Sequence, residues 1–195
     1  MSDLRSRIDQ LKGSRDRIAA DLDEVTRSQG AAAQMLDLCD GGIEVLELAG
    51  ARARERVSQE IGGVAGGAMH DIFGGDAAAD VEFEATARGY RARILTRNDG
   101  FYGDPMRTDG GSACKVLAVA LRAAFIHRDK DRPQVMILDE PFSGVDERHI
   151  HDTAAWLSSI SEALGLQIIM VNHEWPDVWA EHADNIIDLS VESSL

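Results

Sequence analysis

The chain has 195 residues, 44% of them hydrophobic, and its 34 acidic against 20 basic side chains leave a formal net charge of −14. That length accommodates one compact domain plus one extended element. The charge opposes nonspecific nucleic-acid binding by the surface as a whole, because phosphates call for a positive field. Cys39 and Cys114 are far apart with no Cys-x-x-Cys spacing, which argues against a disulfide framework or a thiolate zinc site and fits a reducing compartment. No run approaches the roughly 18 apolar residues of a membrane helix, so no membrane association and a cytoplasmic setting are expected, nucleoid-associated and phage-encoded locations included.

Residues 1–60 read as a coiled-coil stalk helix. Leu4, Ile8, Leu11, Ile18, Leu22, Val25, Ala32, Leu36, Cys39, Ile43, Leu46, Ala53 and Val57 recur at intervals of four and three, with Arg15, Gln29 and Gly50 filling the seam positions that break the run, the heptad pattern of a left-handed coiled coil. A helix of this kind is roughly 80 Å long at 1.5 Å per residue and needs a partner for its apolar stripe. A bundle that breaks at Gly30 and Gly41-Gly42 and folds on itself is the alternative, since each glycine weakens a helix by up to about 1 kcal/mol.

Residues 61–80 are rich in glycine and alanine and read as a junction, and 81–195 as one α/β lobe. Val81, Phe83 and Ala85 alternate with polar neighbours, Tyr90 to Thr96 forms a second strand, and Arg88-Gly89 supplies the turn of a β-hairpin. Arg88, Arg91, Arg93 and Arg97 cluster here; a solvated strand face is preferred to a DNA contact. Asn98 to Thr108 reads as loop on its Asn-Asp-Gly and Asp-Pro signals. From Ser112 the apolar period becomes helical, ending near His127. Gln134–Leu138 is a short apolar run of the buried parallel type. A helix over 147–164, a strand over 167–171, a helix around 176–182 and a strand over 185–189 follow, the alternation of a parallel α/β layer.

The chemistry concentrates in Val135-Met136-Ile137-Leu138-Asp139-Glu140-Pro141. An apolar strand delivers adjacent carboxylates at its C-terminal end, where open α/β sheets place ligands. Asp139 suits Mg²⁺ held through water, and Glu140 suits a general base; phosphoryl transfer needs both fixed on a rigid strand end. The run continues into Ser143-Gly144-Val145-Asp146, and a second apolar strand ends in Asn172-His173-Glu174.

LDEPFSGVD followed by IIMVNHE resembles the ABC-type ATPase superfamily, and within it the heads of SMC proteins, SbcC-type repair ATPases and the RecF/RecN group. The first stretch looks like a Walker B motif plus D-loop, the second like the switch-histidine loop. The resemblance covers roughly residues 81–190 and implies the C-terminal lobe of a head that dimerises around ATP and Mg²⁺. It assigns Asp139 to the metal, Glu140 and His173 to catalysis, and Ser143 and Asp146 to nucleotide binding. The signature motif departs from the family pattern. Candidate residues are Gly110, Gly111, Ser112 and Lys115; aligning on the glycine pair puts Asp109 in the serine position, and aligning on Ser112 restores the hydroxyl at a helix start. The second register is preferred.

No GxxxxGK[ST] motif occurs in the sequence, and no Gly-Lys pair, so the backbone cradle and lysine for the β- and γ-phosphates are missing from it. The expectation is a split head. A second polypeptide would supply the phosphate loop and an antiparallel helix for residues 4–57, and DNA would be reached through the assembled complex, in repair, recombination or genome maintenance. The alternatives are a noncatalytic half-head that regulates an SMC-like ATPase, and a truncated product without stable function. His149 and His151 face different sides of a helix and read as surface histidines; Trp156, Trp175 and Trp179 read as packing residues.

Overall fold

The computed structural model describes residues 2–108 and 110–189. The chain divides into two compact units, Met1–Ala53 and Arg54–Leu195. The first is helical throughout its described residues, within helix α1 (Ser2–Phe73). The glycines at 13, 30, 41 and 42 do not break it, and each faces open space. Its stripe is uncovered: Leu11, Leu22, Leu36 and Leu46 are each at least 65% exposed.

In the second unit α1 continues through the glycine-rich stretch, and packing explains that composition. Ile61, Ala65, Ala68, Met69 and Ile72 are buried at the three- and four-residue spacing of one helix face. A Cβ on Gly66 would stand 3.0 Å from the carbonyl oxygen of Ala79, so the helix lies against the backbone of β1 (Ala78–Thr86). Ser58 donates its hydroxyl to Val81 O in the same strand.

Strand β1 pairs antiparallel with β2 (Gly89–Asn98), which pairs with β3 (Phe101–Gly103). The hairpin turn is Ala87-Arg88; Gly89, at φ 136°, already begins β2 opposite Thr86. Arg91 lies opposite Glu84 and Arg93 opposite Glu82, with Arg93 3.7 Å from Glu84. Arg91 and Arg93 thus lie on an exposed strand face balanced by cross-strand carboxylates, while Arg88 is in the turn and Arg97 lies opposite Ala78. The expected loop over 98–108 instead holds β3 and a short helix α2 (Pro105–Thr108). Asp99 (φ 49°) and Gly100 (φ 77°) form the two-residue turn that Asn-Asp-Gly encodes, and Asp76 accepts from both of their amides at 2.9 and 3.0 Å.

The α/β part comprises α3 (Gly111–Arg128), β4 (Val135–Asp139), α4 (Glu147–Leu164), β5 (Gln167–Val171) and α5 (Pro176–Ala180). Strands β4 and β5 pair in parallel, Ile137 opposite Ile169 and Asp139 opposite Val171. Helix α4 starts at its Asp146 cap, whose carboxylate accepts from His149 N, and stops at Gly165 in the left-handed conformation, a start and stop that sequence signals supply. Val116, Val119 and Ala120 of α3, Met136 and Leu138 of β4, and Ile150, Ala154 and Leu157 of α4 share the main core with Ala68 and Ile72 of α1. Helix α3 also packs into the smaller clusters against the antiparallel sheet through Ala113, Leu117 and Ala124.

One expected element is missing. Residues 185–189 form no strand. A strand exists only against a partner, and among the described residues no strand pairs with β5 besides β4. Ile186, Ile187 and Leu189 remain 59%, 78% and 77% exposed.

Candidate functional site

Two adjacent parallel strands end side by side and deliver the site. Beyond Asp139 the ladder runs one residue further, with Glu140 N donating to Val171 O at 2.9 Å. The chain then turns sharply: Glu140 sits at φ 43°, a left-handed conformation that costs a non-glycine residue roughly 1–2 kcal/mol. Such strain concentrates at functional sites. A second non-glycine residue in that region, Trp175 at φ 57°, closes the loop after β5. Between these bends Glu140 Oε1 lies 2.7 Å from His173 Nδ1. The carboxylate accepts the Nδ1 hydrogen, which sets the imidazole tautomer and leaves Nε2 available. Both side chains reach solvent, Glu140 46% and His173 68% exposed, so they can meet a ligand.

Asp139 is exposed on the open side of the sheet with Val135 and Ile137, while Met136 and Leu138 point into the core. No cluster of three or more His, Cys, Asp or Glu side chains suited to a metal occurs among the described residues. A lone strand-end carboxylate nevertheless fits Mg²⁺, which keeps several waters and takes substrate phosphates as ligands rather than an all-protein cage.

The segment after Glu140 is anchored from below. Phe142, 2% exposed, stacks on Trp179 with ring centroids 5.6 Å apart. Lys115 donates to the carbonyl and, at 3.1 Å, to the hydroxyl of Ser143, and Ser112 donates to Gly144 O at 3.3 Å. Gly144 itself adopts φ 75°. The α3 residues Ser112 and Lys115 are thus brought to the Ser143–Gly144 turn. Gly110 and Gly111 open the same helix, Gly110 as its N-cap without a side-chain cap. The register that invokes Asp109 lies outside the described residues.

Asp146 works as the α4 cap. Its carboxylate accepts from His149 N at 3.2 Å and Arg148 at 3.2 Å, and pairs with His149 Nδ1 at 2.7 Å. Burial alone pushes its pKa up, but the hydrogen bonds from Arg148 and His149 outweigh that and hold it below the ordinary aspartate value. His149 is therefore a structural partner, 26% exposed with its ring 5.0 Å from Phe73, rather than a surface histidine. The sequence reading passed over Glu174. Its Oε2 accepts from Gly144 N at 3.1 Å, and its carbonyl accepts from Asn172 Nδ2 at 2.9 Å and Trp179 Nε1 at 3.1 Å.

The fold has counterparts among solved structures. A chain from work on ATP-driven dimerization and DNA-stimulated activation of SMC ATPases matches 72% of this chain and 82% of its own length, with a TM-score of 0.55 at 19% identity. The fold resembles part of an SMC ATPase head. The Pyrococcus furiosus Smc head with an extended coiled coil, bound to the C-terminal domain of ScpA, matches 69% of this chain and 31% of its own, with a TM-score of 0.51 at 17% identity. In sequence the chain is distantly similar to ABC transporter ATPases. It is 32% identical over 111 residues to the sulfate/thiosulfate import ATP-binding protein CysA of Xylella fastidiosa, covering 56% of this chain and 29% of that protein. It is 29% identical over 108 residues to the energy-coupling factor transporter ATP-binding protein EcfA2 of Ligilactobacillus salivarius, covering 55% and 35%. The chain thus spans about a third of the length of these curated relatives. No family model matches it.

Proposed function

We propose that this chain supplies the C-terminal part of a composite ATP-hydrolysing head whose phosphate loop lies on a second polypeptide, and that the assembly serves DNA repair, recombination or genome maintenance. The observation that carries this reading is the 2.7 Å pair between Glu140 and His173, set beside Asp139 at the ends of two parallel strands. Bound ATP and its Mg²⁺ supply the transferable phosphoryl group and the cation that neutralises its charge. Asp139 would hold the Mg²⁺ through water, Glu140 would take the proton of the attacking water, and His173 would use its free Nε2 on the phosphate side. Gly110, Gly111, Ser112 and Lys115 form the signature segment, with Ser143 and Asp146 beside it, facing the nucleotide of a second head on dimerisation.

Two further features support a site completed from elsewhere. The sequence contains no GxxxxGK[ST]. Parallel sheets are covered on both faces in folded proteins, yet Ile137, Ile169 and Val171 are 73%, 48% and 51% exposed on the face that also carries Asp139. A strand and helix bearing the phosphate loop would cover that face and bring the anion to the carboxylates.

The test is ATP turnover by this chain combined with a candidate partner polypeptide that carries GxxxxGK[ST], with native and Glu140→Gln chains. Turnover should require both polypeptides and fall at least about 100-fold in Glu140→Gln, the scale of a general base. Hydrolysis by the isolated chain that Glu140→Gln abolishes would overturn the split site. Turnover by the pair that ignores the substitution would overturn the role of Glu140.

A further inference from the structure

We propose that Glu174 is a positioning residue whose side chain ties the Ser143–Gly144 turn to the loop that holds His173. The two halves of the site arrive on separate loops, one after β4 and one after β5, and a single backbone ladder bond, Glu140 N to Val171 O, links the strand exits directly. Past it the two loops meet through the Glu140–His173 pair, and the Ser143–Gly144 turn is tied to the histidine loop by Glu174. Its Oε2 accepts from Gly144 N at 3.1 Å, a charge-assisted bond to a backbone amide, while its own carbonyl is fixed by Asn172 Nδ2 and Trp179 Nε1. Gly144 O meanwhile accepts from Ser112 at the start of α3. Gly144 therefore receives a contact from α3 at its carbonyl and one from the histidine loop at its amide. A displacement of the α3 N-terminus passes through Gly144 to Glu174 and so to its neighbour His173. The contact makes His173 responsive to whatever engages Ser112, and it is a contact between a side chain and a backbone thirty residues away, for which no sequence motif exists.

The consequence for turnover rests on the composite-site reading; the tie itself does not, and the two are tested separately. The first measurement uses the isolated native chain and its Glu174→Gln and Glu174→Ala variants, followed by amide and imidazole NMR. The Gly144 amide signal should move in Glu174→Ala, where its acceptor is lost, and much less in Glu174→Gln. The His173 ring signals should shift in Glu174→Ala and stay near native in Glu174→Gln, which keeps an acceptor oxygen. A Gly144 amide or His173 ring signals untouched by Glu174→Ala in a folded chain would overturn the proposal. The second measurement is turnover with the partner polypeptide. Glu174→Ala should lower kcat about tenfold, the scale of a lost hydrogen bond to a charged group, with KM for ATP little changed, and Glu174→Gln should restore most of it. Equal loss in both variants would overturn the positioning role. No turnover by the native pair would count against the composite site and leave the NMR result to decide the tie.

Discussion

Replacing Phe142 with alanine probes how firmly the site is moored to the core. Phe142 is 2% exposed, lies two residues after Glu140, and contacts both the main core and the indole of Trp179. Removing a buried phenylalanine side chain costs about 3–5 kcal/mol from lost transfer energy and the cavity left behind. A domain of this size has a total stability of about 5–15 kcal/mol, so the loss is a large fraction of it. At about 2–4 °C per kcal/mol, the midpoint should fall by about 6–20 °C. Phe142→Leu keeps most of the volume and should cost no more than about 1.5 kcal/mol. Urea unfolding followed by circular dichroism and by tryptophan fluorescence measures both, since Trp179 stacks on the deleted ring. A Phe142→Ala chain that loses less than about 1 kcal/mol at unchanged m would behave like a surface variant and refute the placement of this ring in the core.

The cap of α4 predicts a pH dependence. Because the Asp146 pKa lies below its ordinary value of 3.8 in the folded chain, the stabilisation from its ionised form is complete above that value and is lost as pH falls through the lower folded pKa. Asp146→Asn, which still caps, should flatten the pH dependence of the unfolding midpoint below about pH 4 relative to native, whereas Asp146→Ala should lower the midpoint at neutral pH as well. At the β2–β3 turn, Gly100→Ala places a Cβ on a residue at φ 77° and should cost about 1 kcal/mol, read as a lower urea midpoint.

The legible parts of this fold were those whose signals are local. Helix α4 runs from Glu147 to Leu164 because an aspartate cap and a C-terminal glycine bracket an apolar period, and strand β5 stands at 167–171 because a short apolar run ends at a polar Asn-His-Glu. The nearness of Asp139, Glu140 and His173 was legible for a similar reason: Asp139 ends β4, Glu140 follows it and His173 stands two residues past β5, so their spacing translates into neighbouring strand ends. Residues 185–189 have the composition of a strand and do not form one, since pairing depends on an edge that no local pattern reports. The short elements β3 and α2 were hidden for the opposite reason, being three and four residues long within a run of turn signals. Lys115 illustrates the same limit: its spacing to Ser112 says that it sits one turn into α3, and only the folded chain shows its ammonium on Ser143.

The left-handed backbone at Glu140 has a consequence for how this position evolves. Sterics there favour glycine or asparagine, so lineages filtered only for thermal robustness would drift away from the acid. A lineage that needs the acid must oppose that drift in every generation. The identity of residue 140 among descendants is therefore a record of which pressure they lived under, written at a place where folding and chemistry ask for different side chains.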